Sequence, residues 1–229
     1  MTKKRWGRLM LLVGAALASM WLLAGPAAGK RRTASFTQCV SAIVPIPDGP
    51  TTGSAATNPV ASLPIFVNTP RFKKRAQSGT VTAVASAGVR ISHTDDGDLS
   101  LFLVSPGGRA VALSTFRDQS SNEDDQGQPS PSGDGYGTGA EGCAGSRVEF
   151  GDGFPRTIAM PGNTGLDAPI TGAFTPEQPL SAFVGGPARG FWTLVVQDVQ
   201  GRDVGQIDAF SLSLTYSYKG KKKKRKKRR

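Results

Sequence analysis

The sequence holds one histidine, His93, and two cysteines, Cys39 and Cys143, in 229 residues. These shortages exclude several chemistries. Structural zinc draws on several Cys or His ligands, and neither cysteine has a Cys-x-x-Cys partner or a neighbouring histidine, so zinc and thioredoxin-like redox sites lack their ligands. The usual signature of a serine hydrolase, Gly-x-Ser-x-Gly, occurs nowhere. Asp95, Asp96 and Asp98 stand within five residues of His93. Groups so close on one turn cannot surround a substrate as acid, base and nucleophile. His93 therefore reads as a structural residue, its ring bonded to nearby backbone or packed at a strand end, and no catalytic residue is assigned. A sustained 3.6-residue apolar period is also missing, which argues against an α-helical core.

What is present begins with an export signal. A basic run, Lys3, Lys4, Arg5 and Arg8, precedes the apolar residues 9–24 and the small residues of "AGPAAG". That order reads as a secretory signal peptide over residues 1–28, cleaved near Ala27 to Gly29. The apolar run falls short of the roughly 20 residues a membrane span needs, and an uncleaved anchor is the alternative. The protein is thus expected to be secreted or held at the cell envelope, where an oxidising environment favours bonding of the two cysteines. A Cys39–Cys143 bridge would close a loop of about 100 residues and contribute roughly 4–5 kcal/mol in the chain-entropy model. Two free thiols are the other state.

The net charge of +11 is unevenly spread. Residues 219–229, "KGKKKKRKKRR", carry ten positive charges and no acid, while residues 30–218 hold 14 Lys and Arg against 17 Asp and Glu, a balance of −3. The folded part is mildly acidic and the basicity is an appendage. A run of Lys221, Lys222, Lys223, Lys224, Arg225, Lys226, Lys227, Arg228 and Arg229 repels itself and is expected to be extended and disordered. It suits electrostatic attachment to a polyanion. Lacking interleaved aromatics, it fits salt-sensitive, unspecific binding rather than sequence-specific recognition of nucleic acid. Export directs it towards anionic cell-envelope polymers or lipid headgroups; a tail that serves only solubility is the plainer reading.

Between these ends the apolar residues alternate in short runs set off by Gly, Pro and Asp, the pattern of an antiparallel sandwich or barrel. In "FSLSLTYSY", Phe210, Leu212, Leu214, Tyr216 and Tyr218 share one face and the hydroxyl residues the other. "WTLVVQD" repeats this with Trp192, Leu194 and Val196, and "LSLFLVS" places Leu99, Leu101 and Leu103 inward, backed by Phe102 and Val104. "SPGG" supplies a hairpin turn in which Pro106 presets φ and Gly107 and Gly108 are free to take positive φ. Prolines in "IVPIPDGP" and "SLPIFV" suit edge strands and entry segments. Residues 29–42 read as a linker. The polar insert 117–146, nearly devoid of aliphatic residues, reads as a mobile excursion tethered at Cys143. Its Gly and Asp content lacks the EF-hand spacing and the Gly-Gly-x-Gly-x-Asp repeat of calcium loops.

Ordered motifs carry a resemblance. "VRISHTDDGDLSLFLVSPGGRAVAL" resembles the His-Thr-x-x-Gly-Asp-Leu … Leu-x-Ser-Pro-x-Gly core of the P domain, or P/Homo B domain, of subtilisin-like proprotein convertases. "APITGAFTPEQPLSAFVGGPARGFWTLVVQDVQGRDVGQIDAFSLSL" is similar to the later motifs of the family's bacterial members, and "IPDG" at Ile46 to Gly49 to its opening, so the likeness runs over residues 43–218. It implies an all-β fold, an antiparallel jelly-roll β-sandwich of about eight strands. It also implies a module that is not itself the protease but supports one, with a secreted subtilisin-like protease as partner. Phe210 stands where the family usually has Trp, keeping an apolar contact without the indole N–H. Calcium is the cofactor the resemblance brings in, at Asp152, Asp198 and Asp203, where carboxylates at turns offer hard oxygen ligands. Each of these is equally a turn residue bonding its own backbone. His93, Gly97 and Asp98 read as the shaping residues of one turn, with Asp98 capping the entry to the strand that follows.

Overall fold

The computed structural model describes residues 31–49, 59–70, 79–115, 134–158, 169–201 and 203–219. Residues 1–28, read above as a signal peptide, the cationic residues Lys221 to Arg229 and residues 117–133 of the insert lie outside the described residues.

Eleven strands follow in order: β1 (Arg31–Ile46), β2 (Val60–Val67), β3 (Thr80–His93), β4 (Leu99–Val104), β5 (Ala110–Ser114), β6 (Asp134–Tyr136), β7 (Val148–Phe150), β8 (Arg156–Thr157), β9 (Ala173–Thr175), β10 (Gly190–Asp198) and β11 (Gly205–Lys219). Two 3-10 turns, Gly142–Ala144 and Leu180–Phe183, are the other regular elements among the described residues. No described helix is long and apolar enough to cross a membrane. One sheet runs β1-β11-β3-β7-β9-β8 with β6 also on β3, and the other runs β2-β10-β4-β5. Pairing is antiparallel except where the short β9 meets β7 and β8. The architecture is an all-β sandwich. The strand count exceeds the eight expected because β6, β7, β8 and β9 are only two or three residues long.

The alternation written in the sequence places the core. Phe210, Leu212 and Leu214 of β11, Val89 and Ile91 of β3, Leu99, Leu101 and Leu103 of β4, and Trp192, Leu194 and Val196 of β10 are all buried in one apolar cluster. Burying each such side chain fully stabilises the fold by about 1.5–3 kcal/mol relative to leaving it in water. Trp192 keeps its indole satisfied by donating from Nε1 to the Ala188 carbonyl at 3.0 Å. Phe210, with no such donor, is fully buried without needing one.

Edges and turns follow the backbone chemistry. β1 and β2, which carry Pro45 and Pro64, are edge strands, where a missing N–H costs no ladder bond. In the β4–β5 hairpin the Gly108 N–H donates to the Ser105 carbonyl at 2.9 Å. Gly108 alone of the glycine pair takes positive φ, 78°.

Two expectations need correction. Residues 31–42 are not a linker: they form most of β1, paired with β11 in a register from Arg31 opposite Lys219 onward. Ala34, Phe36, Val40 and Ala42 pack against the core from this strand, which explains why a polar-looking segment folds. The second half of the insert is folded too. Tyr136 of β6 is fully buried, and a Cys39–Cys143 disulfide with Cα atoms 6.0 Å apart ties the insert to β1. A disulfide of this kind suits an oxidising, extracytoplasmic compartment.

Candidate functional site

Two registers build the site. β3 ends and β11 begins with His93 opposite Gly205, and β10 ends and β4 begins with Asp198 opposite Leu99. The connections 94–98 and 199–204 therefore meet at one end of the sandwich. Thr94 N–H donates to the Val204 carbonyl at 3.1 Å, Val204 N–H returns to Thr94 Oγ1 at 3.0 Å, and Val199 N–H donates to the Asp98 carbonyl at 3.1 Å. Within the first connection, Gly97 N–H donates to Asp95 Oδ1 at 2.9 Å, the Asx-type turn that an Asp two residues before a Gly favours.

Carboxylates gather here. One oxygen from each of Asp95, Asp98 and Asp203 lies within 4.8 Å of the others, with Asp95 and Asp98 buried and Asp203 half-buried. Side-chain donors steady two of them: Gln200 Nε2 donates to Asp98 Oδ1 at 2.9 Å and Thr94 Oγ1 to Asp203 Oδ1 at 2.7 Å. Burial, together with the neighbouring charges of Asp96 and Asp203, pushes the Asp95 carboxyl up from 3.8 to about 6, against the Gly97 hydrogen bond that lowers it. So much negative charge out of water calls for a cation. An all-oxygen set of carboxylates at turns is the donor chemistry of calcium, and the residues present fit that ion.

His93 is 1% exposed. Its Nδ1 meets the backbone of Asp95, and its Nε2 lies 3.4 Å from Asp198 Oδ2, deep inside the fold. Burial works against a charge on the ring, but the Asp198 carboxylate outweighs it and raises the pKa above the ordinary 6.5. The histidine thus braces the turn from beneath by joining the end of β10 to the start of the 94–98 connection.

The residues named for calcium from the sequence separate. Asp203 lies in the carboxylate cluster. Asp198 binds the Gln200 N–H at 3.1 Å through Oδ1 and faces His93 with Oδ2. Asp152 lies elsewhere, accepting from the N–H groups of Leu180 at 2.6 Å and Ser181 at 2.8 Å, where it caps the 3-10 turn Leu180–Phe183. Asp98, read as a strand cap, sits among the carboxylates, and Asp95 was not singled out for metal at all. The sequence signal was the density of acids in "HTDDGD", but the third carboxylate arrives from a connection more than a hundred residues later.

Fold and site together define an all-β sandwich with a buried carboxylate turn at one end. No family model and no curated protein matches the sequence. Among solved structures, the serine protease of Aeromonas sobria is similar at 16% identity with a TM-score of 0.42, and the complex of that protease with its chaperone at 16% identity with a TM-score of 0.43. In both, the match covers 81% of this chain and 27% of the other, so the chain spans about a quarter of the length it is compared with. Likeness at this level transfers no activity, substrate or partner.

Proposed function

We propose that the chain is an exported, non-catalytic P-domain-type β-sandwich that serves as an accessory or binding module. It carries calcium at the Asp95–Asp98–Asp203 turn and attaches to anionic surfaces through its tail. The observation that supports a non-catalytic reading is the position of His93. The sole imidazole of the chain is packed between the Asp95 backbone and the Asp198 carboxylate, out of reach of any substrate. A general base must come within hydrogen-bond reach of the proton it removes, and this one is committed to the fold. Calcium would supply charge compensation and pin together two connections distant in sequence, with Asp95, Asp98 and Asp203 as its carboxylate ligands.

Thermal unfolding of the full chain in calcium and in chelator, for wild type and Asp203→Asn, tests the metal assignment. The wild type should unfold at a higher temperature in calcium, and the half-buried Asp203→Asn should lose most of that difference. Equal unfolding temperatures in both media would sink it. Turnover of a peptide or ester substrate by the wild type that His93→Ala abolished, under conditions where the variant is shown to stay folded, would overturn the non-catalytic reading.

A second reading is favoured by the run His93 to Gly108, whose motif resembles that of convertase P domains: the module stabilises a separately made subtilisin-like serine protease. Mixing the protein with secreted proteases of that class should raise the protease's unfolding temperature. No shift with any of them would leave the accessory role without a protease.

A further inference from the structure

The end of the sandwich opposite the carboxylate turn carries basic residues at its described strand ends, with Asp152 set behind it on the Leu180–Phe183 turn. Strand registers place Arg31 opposite Lys219 and Thr80 opposite Ser217, and a bridge joins Thr80 to Pro187. Arg31 Nη1 donates to Ser217 Oγ at 3.2 Å. Arg189 follows Pro187 by two residues and donates to the Thr69 carbonyl at 2.8 Å. The hairpin tip that carries Arg109 packs on the same corner, since a Cβ on Gly107 would lie 3.2 Å from Pro187 Cγ. The described residues of this end, 31–35, 67–70, 79–83, 104–110, 184–191 and 214–219, include Arg31, Arg32, Arg109, Arg189 and Lys219 and no Asp or Glu. The opposite end holds the carboxylate turn, with Asp134 beside it on β6, opposite Ser92. β11 runs the whole way between the two ends, from Gly205 to Lys219, which at ~3.3 Å per residue separates them by about 45 Å. The small net charge of the folded part, −3, conceals a polarised molecule.

The basic end also exposes apolar side chains. Phe66 and Phe191, 42% and 59% exposed, stack edge to face with centroids 5.0 Å apart, and the Arg189 guanidinium lies 5.4 Å from the Phe66 ring. Val184 is 50% exposed nearby. A water-borne polyanion would satisfy the arginines and leave these groups in water. An anionic membrane surface takes both, with guanidinium groups on headgroup phosphates and apolar groups in the interfacial layer.

We propose that this end of the folded domain is a docking face for anionic phospholipid membranes, which orients the carboxylate turn about 45 Å away from the lipid. Lys219, the last residue of β11, lies at this end and precedes the polybasic residues 220–229 in the sequence. The face is defined by the described cations and extends the tail reading above without depending on it.

The test is co-sedimentation of the full chain with phosphatidylglycerol-containing vesicles, with pure phosphatidylcholine vesicles, and with soluble polyphosphate. The triple variant Arg31→Glu, Arg32→Glu, Arg109→Glu keeps the tail and alters only exposed side chains. It should bind phosphatidylglycerol vesicles at least about tenfold more weakly. Arg32→Gln with Arg109→Gln is a milder pair that should move in the same direction. Phe191→Ser should weaken vesicle binding several-fold and leave polyphosphate binding unchanged. If the charge variants bind vesicles like the parent while removal of residues 220–229 abolishes binding, the tail reading stands and the docking face falls. If the charge variants lose polyphosphate and vesicles alike while Phe191→Ser changes neither, the face serves a soluble polyanion and the membrane assignment is overturned.

Discussion

Nε2 of His93 lies 3.4 Å from Oδ2 of Asp198, and neither side chain has any solvent exposure. Among the described residues neither atom has a hydrogen-bond partner, so the two face each other as an ion pair. Removing the histidine would strand a buried carboxylate. His93→Ala should therefore cost about 3–5 kcal/mol, the range found when one member of a buried pair is deleted. Asp198→Ala should cost less, because an imidazole can lose its proton and remain buried as a neutral ring. The double variant should lose less than the sum of the two. Urea unfolding of all three checks the cycle, and additive losses would show that the pair is not coupled.

Titration at the same turn gives a pH dependence with a definite sign. The Asp95 carboxyl is raised in the fold to about 6 from 3.8, so the folded state holds its proton more tightly, and its contribution, complete below 3.8, is lost as pH rises through about 6. His93 is raised above 6.5, so its contribution is complete below that value and fades as pH rises through the folded pKa. Asp96, Asp198 and Asp203 are the other charged groups that bear on these two. In chelator, the unfolding temperature should fall as pH rises from about 4 to 7. Calcium should flatten this fall, because deprotonated carboxylates bind the ion better. A rising profile in chelator would contradict both shifts.

The sandwich was legible because its strands obey a period of two with strong residues. Phe210, Leu212 and Leu214 turn inward while Ser211, Ser213 and Thr215 turn outward. β1 was missed although the same period is present in Ala34, Phe36, Val40 and Ala42, because small and polar residues at an edge give a faint contrast. The carboxylate cluster was half legible. The turn over His93, Gly97 and Asp98 shows in local chemistry, but the arrival of Asp203 depends on the register of Gly205 opposite His93 across β3 and β11, which no local pattern encodes. The polarity of charge was hidden for the same reason: Arg31, Arg109, Arg189 and Lys219 are scattered in sequence and meet only through strand pairing.

The disulfide joins β1 to the folded half of the insert across a separation of 104 residues. Cross-linking so long a loop restricts the unfolded chain by about 4.7 kcal/mol in the entropy model. Cys39→Ala with Cys143→Ala should lose most of that stability and loosen the Gly142–Ala144 turn, where Cys143 N–H donates to Ser41 Oγ at 2.9 Å and the Cys143 carbonyl accepts from Arg147 Nη1 at 2.9 Å. Hydrogen exchange should then quicken at residues 141–146 more than at β10. Unchanged protection at that turn would mean that packing alone holds it.

Gly205 tests how tightly the site is built. A Cβ there would lie 2.2 Å from His93 Cδ2 and 2.5 Å from the Ser92 carbonyl oxygen, and the second of these is backbone fixed in the β3–β11 ladder. Neither neighbour can yield without shifting the histidine from Asp198 or breaking the register. Gly205→Ala should cost about 1–3 kcal/mol, the range for forcing extra volume into a packed interior. Calcium stabilisation should shrink with it, because Asp203 and Thr94 are positioned by the same pair of strands. Gly153→Ala is the control: a Cβ there meets nothing within 4 Å, so stability should stay within about 0.5 kcal/mol of the parent. Equal effects from the two substitutions would show that the carboxylate end is far more pliable than its contacts imply.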